Sequence, residues 1–127
     1  MREILFRGKR IDTGAWVQGF YFKIWDEHYI CWGTTNGEVN KLLVIPETVG
    51  QDTGLDDKNG VKIFEGDIVR EHGNDYTPIY QNGIYMAYNV DKINDPYVST
   101  QFNVIWRNGC EIIGNIHENP GLVEVLI

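Results

Sequence analysis

The segment TGLDDKNGVKIFEGDIV, Thr53 to Val69, concentrates the side chains of this chain that could carry out chemistry. Asp57 and Asn59 ahead of Gly60 suggest oxygen ligands for calcium. A loop of the EF-hand kind needs a ligand at its first position, glycine at its sixth and a bidentate glutamate at its twelfth. With Gly60 as the sixth, the first falls on Leu55 and the twelfth on Gly66, so both essential oxygens are missing. The flanks also read as strands where helices are required. Asn59-Gly60 is better explained as a tight hairpin turn in which both residues take positive φ.

Glu65 and Asp67 are two apart; on one strand they would share a face and could form a general acid/base pair. That work needs one carboxylate with a raised pKa, which only burial or neighbours can supply. The simpler reading puts Glu65 at a bend and has Asp67 stabilise a turn through its own backbone. His28, His72 and His117 each stand without a second histidine or cysteine at ligand spacing, so no metal site is expected. Cys110 and His117, seven residues apart, could pair as nucleophile and base across a hairpin, but they lie in no nucleophile motif. Cys31 and Cys110 are too distant for a CxxC pair and are expected as buried apolar residues rather than a disulfide. Neither a Walker loop, GxGxxG nor GxSxG occurs, so the nucleotide and hydrolase templates fail. The expectation is a protein that is not an enzyme, with no catalytic, metal-binding or cofactor-binding residues.

Short strands must position these groups. Fourteen glycines are scattered through 127 residues, with few stretches of good helix formers, which predicts many strands joined by turns and little helix. Glu3 to Gly8 reads as a first strand. Asp12-Thr-Gly14 turns into Trp16–Trp25, where Phe20, Phe22 and Ile24 alternate with Tyr21, Lys23 and Trp25 as on a half-buried strand. His28 to Trp32 and Leu42 to Ile45 follow, the latter stopped by Pro46. Pro46 to Gly54 is the best candidate boundary, dividing N-terminal strands (1–47) from the remainder (48–127) within a single domain. Gly66-Asp67 marks a bend in the strand Val61 to Val69. Residues 71–100 read as a peripheral excursion, with Ile84, Met86, Tyr88 and Val90 on one face. Phe102, Val104 and Trp106 then alternate before Asn108-Gly109, which predicts a hairpin with Cys110 to Ile116 returning. Asn119-Pro120 could cap a short terminal helix.

Composition narrows the function classes. The longest apolar runs, such as Leu42 to Ile45, fall far short of the ~20 residues of a membrane helix, so no membrane association is expected. The first ten residues have no apolar h-region, which predicts a cytoplasmic protein. Residues 1–10 carry Arg2, Arg7, Lys9 and Arg10 against Glu3, a net +3, leaving −10 on the rest of a chain whose total is −7. That balance disfavours nucleic acid as a partner except along the basic N-terminal edge. Trp16, Tyr21, Trp25, Tyr29, Trp32, Trp106 and the tyrosines of the 76 to 97 region exceed what one small core needs. A core plus a homo-oligomer interface is the favoured account, and a stacking platform for single strands is the alternative.

Four pieces, REILFRGKRIDTGAWVQGF, VIPETVGQDTGLDDKNG, KIFEGDIV and IIGNIHENPGLVE, resemble the YopX-like family of small phage and prophage proteins. The resemblance implies a mainly β fold in which the GDIV strand belongs to a small SH3-like barrel, with the N-terminal strands packed beside it. It also implies a phage or prophage origin in a bacterial host. It carries no established activity, so no catalytic role passes to Asp56, Asp57, Glu65 or Asp67. Gly121 departs from the family's usual helix-favouring acidic residue, and residues 71–100 match no family motif. The resulting expectation is a non-enzymatic accessory protein that self-associates and binds a host or phage protein. The alternative is a nucleic-acid-associated barrel using Arg2, Arg7, Lys9 and Arg10.

Overall fold

Turn residues set the strand boundaries. Asn36-Gly37, His72-Gly73 and Asn82-Gly83 all take positive φ, between 48° and 89°, the geometry of two-residue hairpin turns whose twist matches the strands they join. The computed structural model describes residues 4–90 and 99–120. It divides into two compact units, residues 1–52 and 53–127, with the division inside the Pro46 to Gly54 segment.

In the first unit β1 (Phe6–Lys9), β2 (Trp16–Ile24), β3 (Glu27–Thr35) and β4 (Glu38–Leu43) lead through a 3-10 turn (Pro46–Thr48) into β5 (Gly50–Asp56). β2 serves two partners: Trp16 to Gly19 pairs antiparallel with β1, and Phe20 to Ile24 with β3. Gly19 sits at the changeover because a Cβ there would lie 2.2 Å from the Cys31 carbonyl oxygen. β4 pairs with the other side of β3, and Gly50 and Gln51 of β5 pair with β1. Ile30 and Val44 are the buried apolar centre of this unit. Thr48 closes it by accepting the Lys9 N–H at 2.9 Å and donating to the Ile45 carbonyl at 2.6 Å.

The second unit holds the rest of β5, β6 (Lys62–Phe64), β7 (Asp67–Glu71), β8 (Asn74–Gln81), β9 (Ile84–Asn89), β10 (Ser99–Gln101), α1 (Phe102–Arg107) and β11 (Glu111–Asn115). One antiparallel sheet runs in the order β10-β9-β8-β7-β11. Ile63, Val69, Ala87, Phe102, Ile105 and Cys110 form its core.

The mainly β expectation holds, with four corrections. Among the described residues this sheet is open, with β10 and β11 as edges, so the expected SH3-like barrel is not seen closed. The described part of residues 71–100 is not peripheral: β8 and β9 are interior strands, and the inward face of β9 carries Tyr85 and Ala87, while Ile84 is exposed. Pro78 is tolerated in β8 because β7 pairs only as far as Tyr76, so its missing N–H leaves no gap in that ladder. Phe102–Arg107 is a helix rather than a strand. Phe102 and Ile105, three apart, are its buried residues, and Gly109 at φ +82° ends it, donating to the Trp106 carbonyl at 3.0 Å. Finally, of Asn59-Gly60 only Gly60 takes positive φ, at +80°. That is the three-residue loop with a left-handed glycine, not the two-residue turn. Any terminal helix beyond Pro120 lies outside the described residues.

Candidate functional site

The Asp57 loop closes on itself through two backbone bonds, Asp57 N–H to the Val61 carbonyl at 2.8 Å and Gly60 N–H to the Asp57 carbonyl at 3.0 Å. The Asp57 side chain is buried beneath it and accepts three more N–H groups. Oδ1 takes those of Asn59 (2.9 Å) and Val61 (3.0 Å), and Oδ2 takes that of Ile112 on β11 (3.1 Å). Burial pushes this carboxyl up, but the N–H donors of Val61, Ile112 and Asn59, helped by Lys58, outweigh it and hold the pKa below the ordinary value. The role of Asp57 is to tie a loop to a strand.

Glu65 and Asp67 do not converge. Residues 65 and 66 form the turn between β6 and β7, so the two carboxylates are not neighbours on one strand. Asp67 Oδ2 reaches back to the Phe64 N–H at 2.8 Å, and Glu65 Oε2 accepts the Tyr80 N–H of β8 at 3.1 Å. Gly66 takes φ +92°, and a Cβ on it would stand 3.3 Å from His117 Nε2. Cys110 lies in the core, where burial pushes its thiol up, with Asp57 and Glu71 adding to the shift. A thiol held neutral in this way is a poor nucleophile. Beside it is a recess of about 310 Å³ whose lining includes Asp56, Lys58, Trp106 and Arg107. The Trp106 indole is fixed there by its bond to the Asp56 carbonyl at 2.8 Å.

The histidines are dispersed. His28 Nδ1 meets the Tyr21 hydroxyl at 2.5 Å, and His72 Nδ1 meets Glu71 Oε1 at 2.9 Å. Among the described residues no group of three or more His, Cys, Asp or Glu is placed to hold a metal ion. Both cysteines are free. One device escaped the sequence reading. Asn115 accepts the N–H groups of His117 (3.0 Å) and Glu118 (2.9 Å), while Asn119 Oδ1 accepts that of Asn115 (3.1 Å). Gly114 is required beneath it, since a Cβ would lie 2.5 Å from Asn119 Oδ1. The two asparagines of GNIHEN, each able to bond nearby backbone, were the available signal.

A different surface stands out on the N-terminal unit. The period of two expected for β2 is present, but the side carrying Phe20, Phe22 and Ile24 faces outward: Phe20 is 49% and Ile24 47% exposed. Cross-strand register adds Cys31, Tyr29 and Glu27 from β3, and Leu43 and Lys41 from β4. Phe22 and Tyr29 stack at 5.1 Å between ring centres, and Lys41 Nζ lies 5.4 Å from the Tyr29 ring centre. The Tyr29 hydroxyl donates to Glu27 at 3.1 Å, and burial, followed by the neighbouring Glu27, raises its pKa. Toward β1 the surface continues through a recess of about 400 Å³ bounded by Leu5, Gln18, Gly19, Phe20 and Trp32. It ends where the Arg7 guanidinium and Lys9 ammonium lie 4.4 and 5.7 Å from the Trp16 ring centre. Arg10 is bound through two nitrogens to Asp12, at 2.9 and 2.7 Å.

A family model described as YopX protein matches residues 5–124, nearly the whole chain. The chain belongs to the YopX family. Among solved structures, that of protein EF1440 from Enterococcus faecalis is similar, with a TM-score of 0.55 over 98% of this chain and 100% of its own, at 24% identity. At that identity the likeness concerns the fold alone. No curated protein matches this chain. Among the described residues of this YopX-family protein, no helix is long and apolar enough to cross a membrane.

Proposed function

We propose that this YopX-family chain is a non-enzymatic phage or prophage accessory protein, a protein-interaction module that self-associates. The observation that carries the reading is the outward face of β2, β3 and β4, where Phe20, Phe22, Ile24, Tyr29 and Leu43 stand together with Phe20, Ile24 and Leu43 exposed. Isolated exposed apolar residues are ordinary, but a contiguous set on one sheet face marks an interaction surface. The second unit supports the scaffold half of the reading: Asp57, Glu65 and Asp67 are engaged with backbone N–H groups. Its strand order, four successive strands, a short helix and β11 returning beside β7, is the order expected of an SH3-like barrel.

The nucleic-acid alternative draws less support. Arg7 and Lys9 lie over Trp16 and Arg10 binds Asp12, so the described part of the basic edge is already engaged, on a chain of net charge −7; Arg2 lies outside the described residues. The test is mass in solution. Sedimentation equilibrium of the purified chain at micromolar concentration should give a mass of at least two chains. A mass of one chain would overturn the self-association.

A further inference from the structure

We propose that two copies of this chain pack face to face through β2, β3 and β4, about a twofold axis that crosses the strands at the row Phe22-Tyr29-Leu43. The inference rests on the self-association proposed above and adds its surface and symmetry.

Register defines three rows on this face. The first is Ile24 with Glu27, the second Phe22, Tyr29 and Leu43, and the third Phe20, Cys31 and Lys41. An axis lying in the face, perpendicular to the strands and through the second row, exchanges the first and third rows between copies. Ile24 of one copy then stands over Phe20 of the other, Glu27 stands over Cys31 with Lys41 of the second copy beside it on the neighbouring strand, and the middle row meets its own image. Apolar groups meet apolar groups, opposite charges meet, and the twofold repeats each contact.

Charge selects this axis among its rivals. Moved to the first row it would set Glu27 on Glu27, and moved to the third, Lys41 on Lys41. An axis along β2 and β3 would bring Glu27 onto Ile24 and leave it without a cation. Neither Glu27 nor Lys41 has an ion-pair partner in its own copy among the described residues. Each is instead held to Tyr29, Glu27 by its hydroxyl and Lys41 over its ring. Both are exposed, so their charges are presented to solvent at the rim of an apolar patch, where electrostatic complementarity fixes register between partners.

The test is a charge swap read by sedimentation equilibrium, with far-UV circular dichroism to confirm that each variant is folded. Lys41→Glu and Glu27→Lys each create two like-charge contacts per dimer and should weaken association by about tenfold or more. The double variant restores opposite charges and should return affinity to within roughly threefold of the original. Ile24→Asp, which places a charge against Phe20, should abolish the dimer. If the original chain associates and both single variants match it, this face is wrong while self-association stands. If the singles weaken but the double does not recover, the twofold pairing is wrong. If the original chain remains one chain at high micromolar concentration, both the inference and the reading beneath it fall.

Discussion

Asp57 shows how a carboxylate that suggests a calcium ligand can instead hold backbone. Its two oxygens hold three N–H groups from a loop and from β11, and each would lose its partner if the carboxylate were removed. Asp57→Ala should therefore cost about 2–4 kcal/mol in urea unfolding, since buried donors left unpaired are expensive. Asp57→Asn should cost less, keeping one acceptor oxygen. The pKa in the folded protein lies below the ordinary 3.8. A depressed carboxyl contributes stability that is complete above the unfolded-state value and is lost as pH falls through the folded-state value. Stability of the original chain should accordingly fall on acidification below about pH 4. Asp57→Ala should show a shallower acid limb, and identical limbs in the two proteins would remove Asp57 from this role.

At the scale of elements, the segment 102–107 separates pattern from packing. As a strand, Phe102, Val104 and Trp106 would share the inner face and Ile105 would point outward. In the helix, Phe102 and Ile105 are buried while Val104 is 37% exposed. Ile105→Ala should thus cost about 2–5 kcal/mol, the usual range for a core truncation, and Val104→Ala under about 1 kcal/mol; the reverse order in thermal unfolding would favour the strand. The sequence could not decide this, because a six-residue segment is too short for its period to outweigh what packs against it, and Asn-Gly ends helices as well as turning hairpins. In the first unit β2 and β3 were readable, since alternation and turn residues agree there, whereas β4 spans Glu38–Leu43 rather than Leu42 to Ile45, and β5, Gly50–Asp56, begins inside the segment read as a boundary. Which side of β2 faces out was not readable. It depends on Gly8 and Gly19, which let Val44 and the Cys31 carbonyl approach the opposite side. Nor could the rows linking Glu27 with Lys41 be read, because the β3–β4 register shifts between Cys31 and Gly33, a bulge with no mark in the hydrophobic pattern.

For the whole molecule, the two free thiols provide one reporter in each unit. Cys31 stands half-buried on the outward face of the first unit, in the row that the proposed axis lays against the Ile24-Glu27 row of a second copy. Cys110 is 2% exposed in the core of the second unit, and its thiol is pushed up, first by burial and then by Asp57 and Glu71. An aromatic disulfide reagent can reach Cys110 only when that unit opens, so its rate should follow local unfolding and be independent of protein concentration. Cys31 should react from the single copy and be shielded in the pair. Raising the protein concentration through the range in which the sedimenting mass rises should slow Cys31 and leave Cys110 unchanged. Ile24→Asp should restore the fast Cys31 rate at every concentration. If Cys31 keeps one rate while the mass rises, association uses another surface. If Cys110 slows in step with it, the second unit also takes part, and a model confined to β2, β3 and β4 is too small.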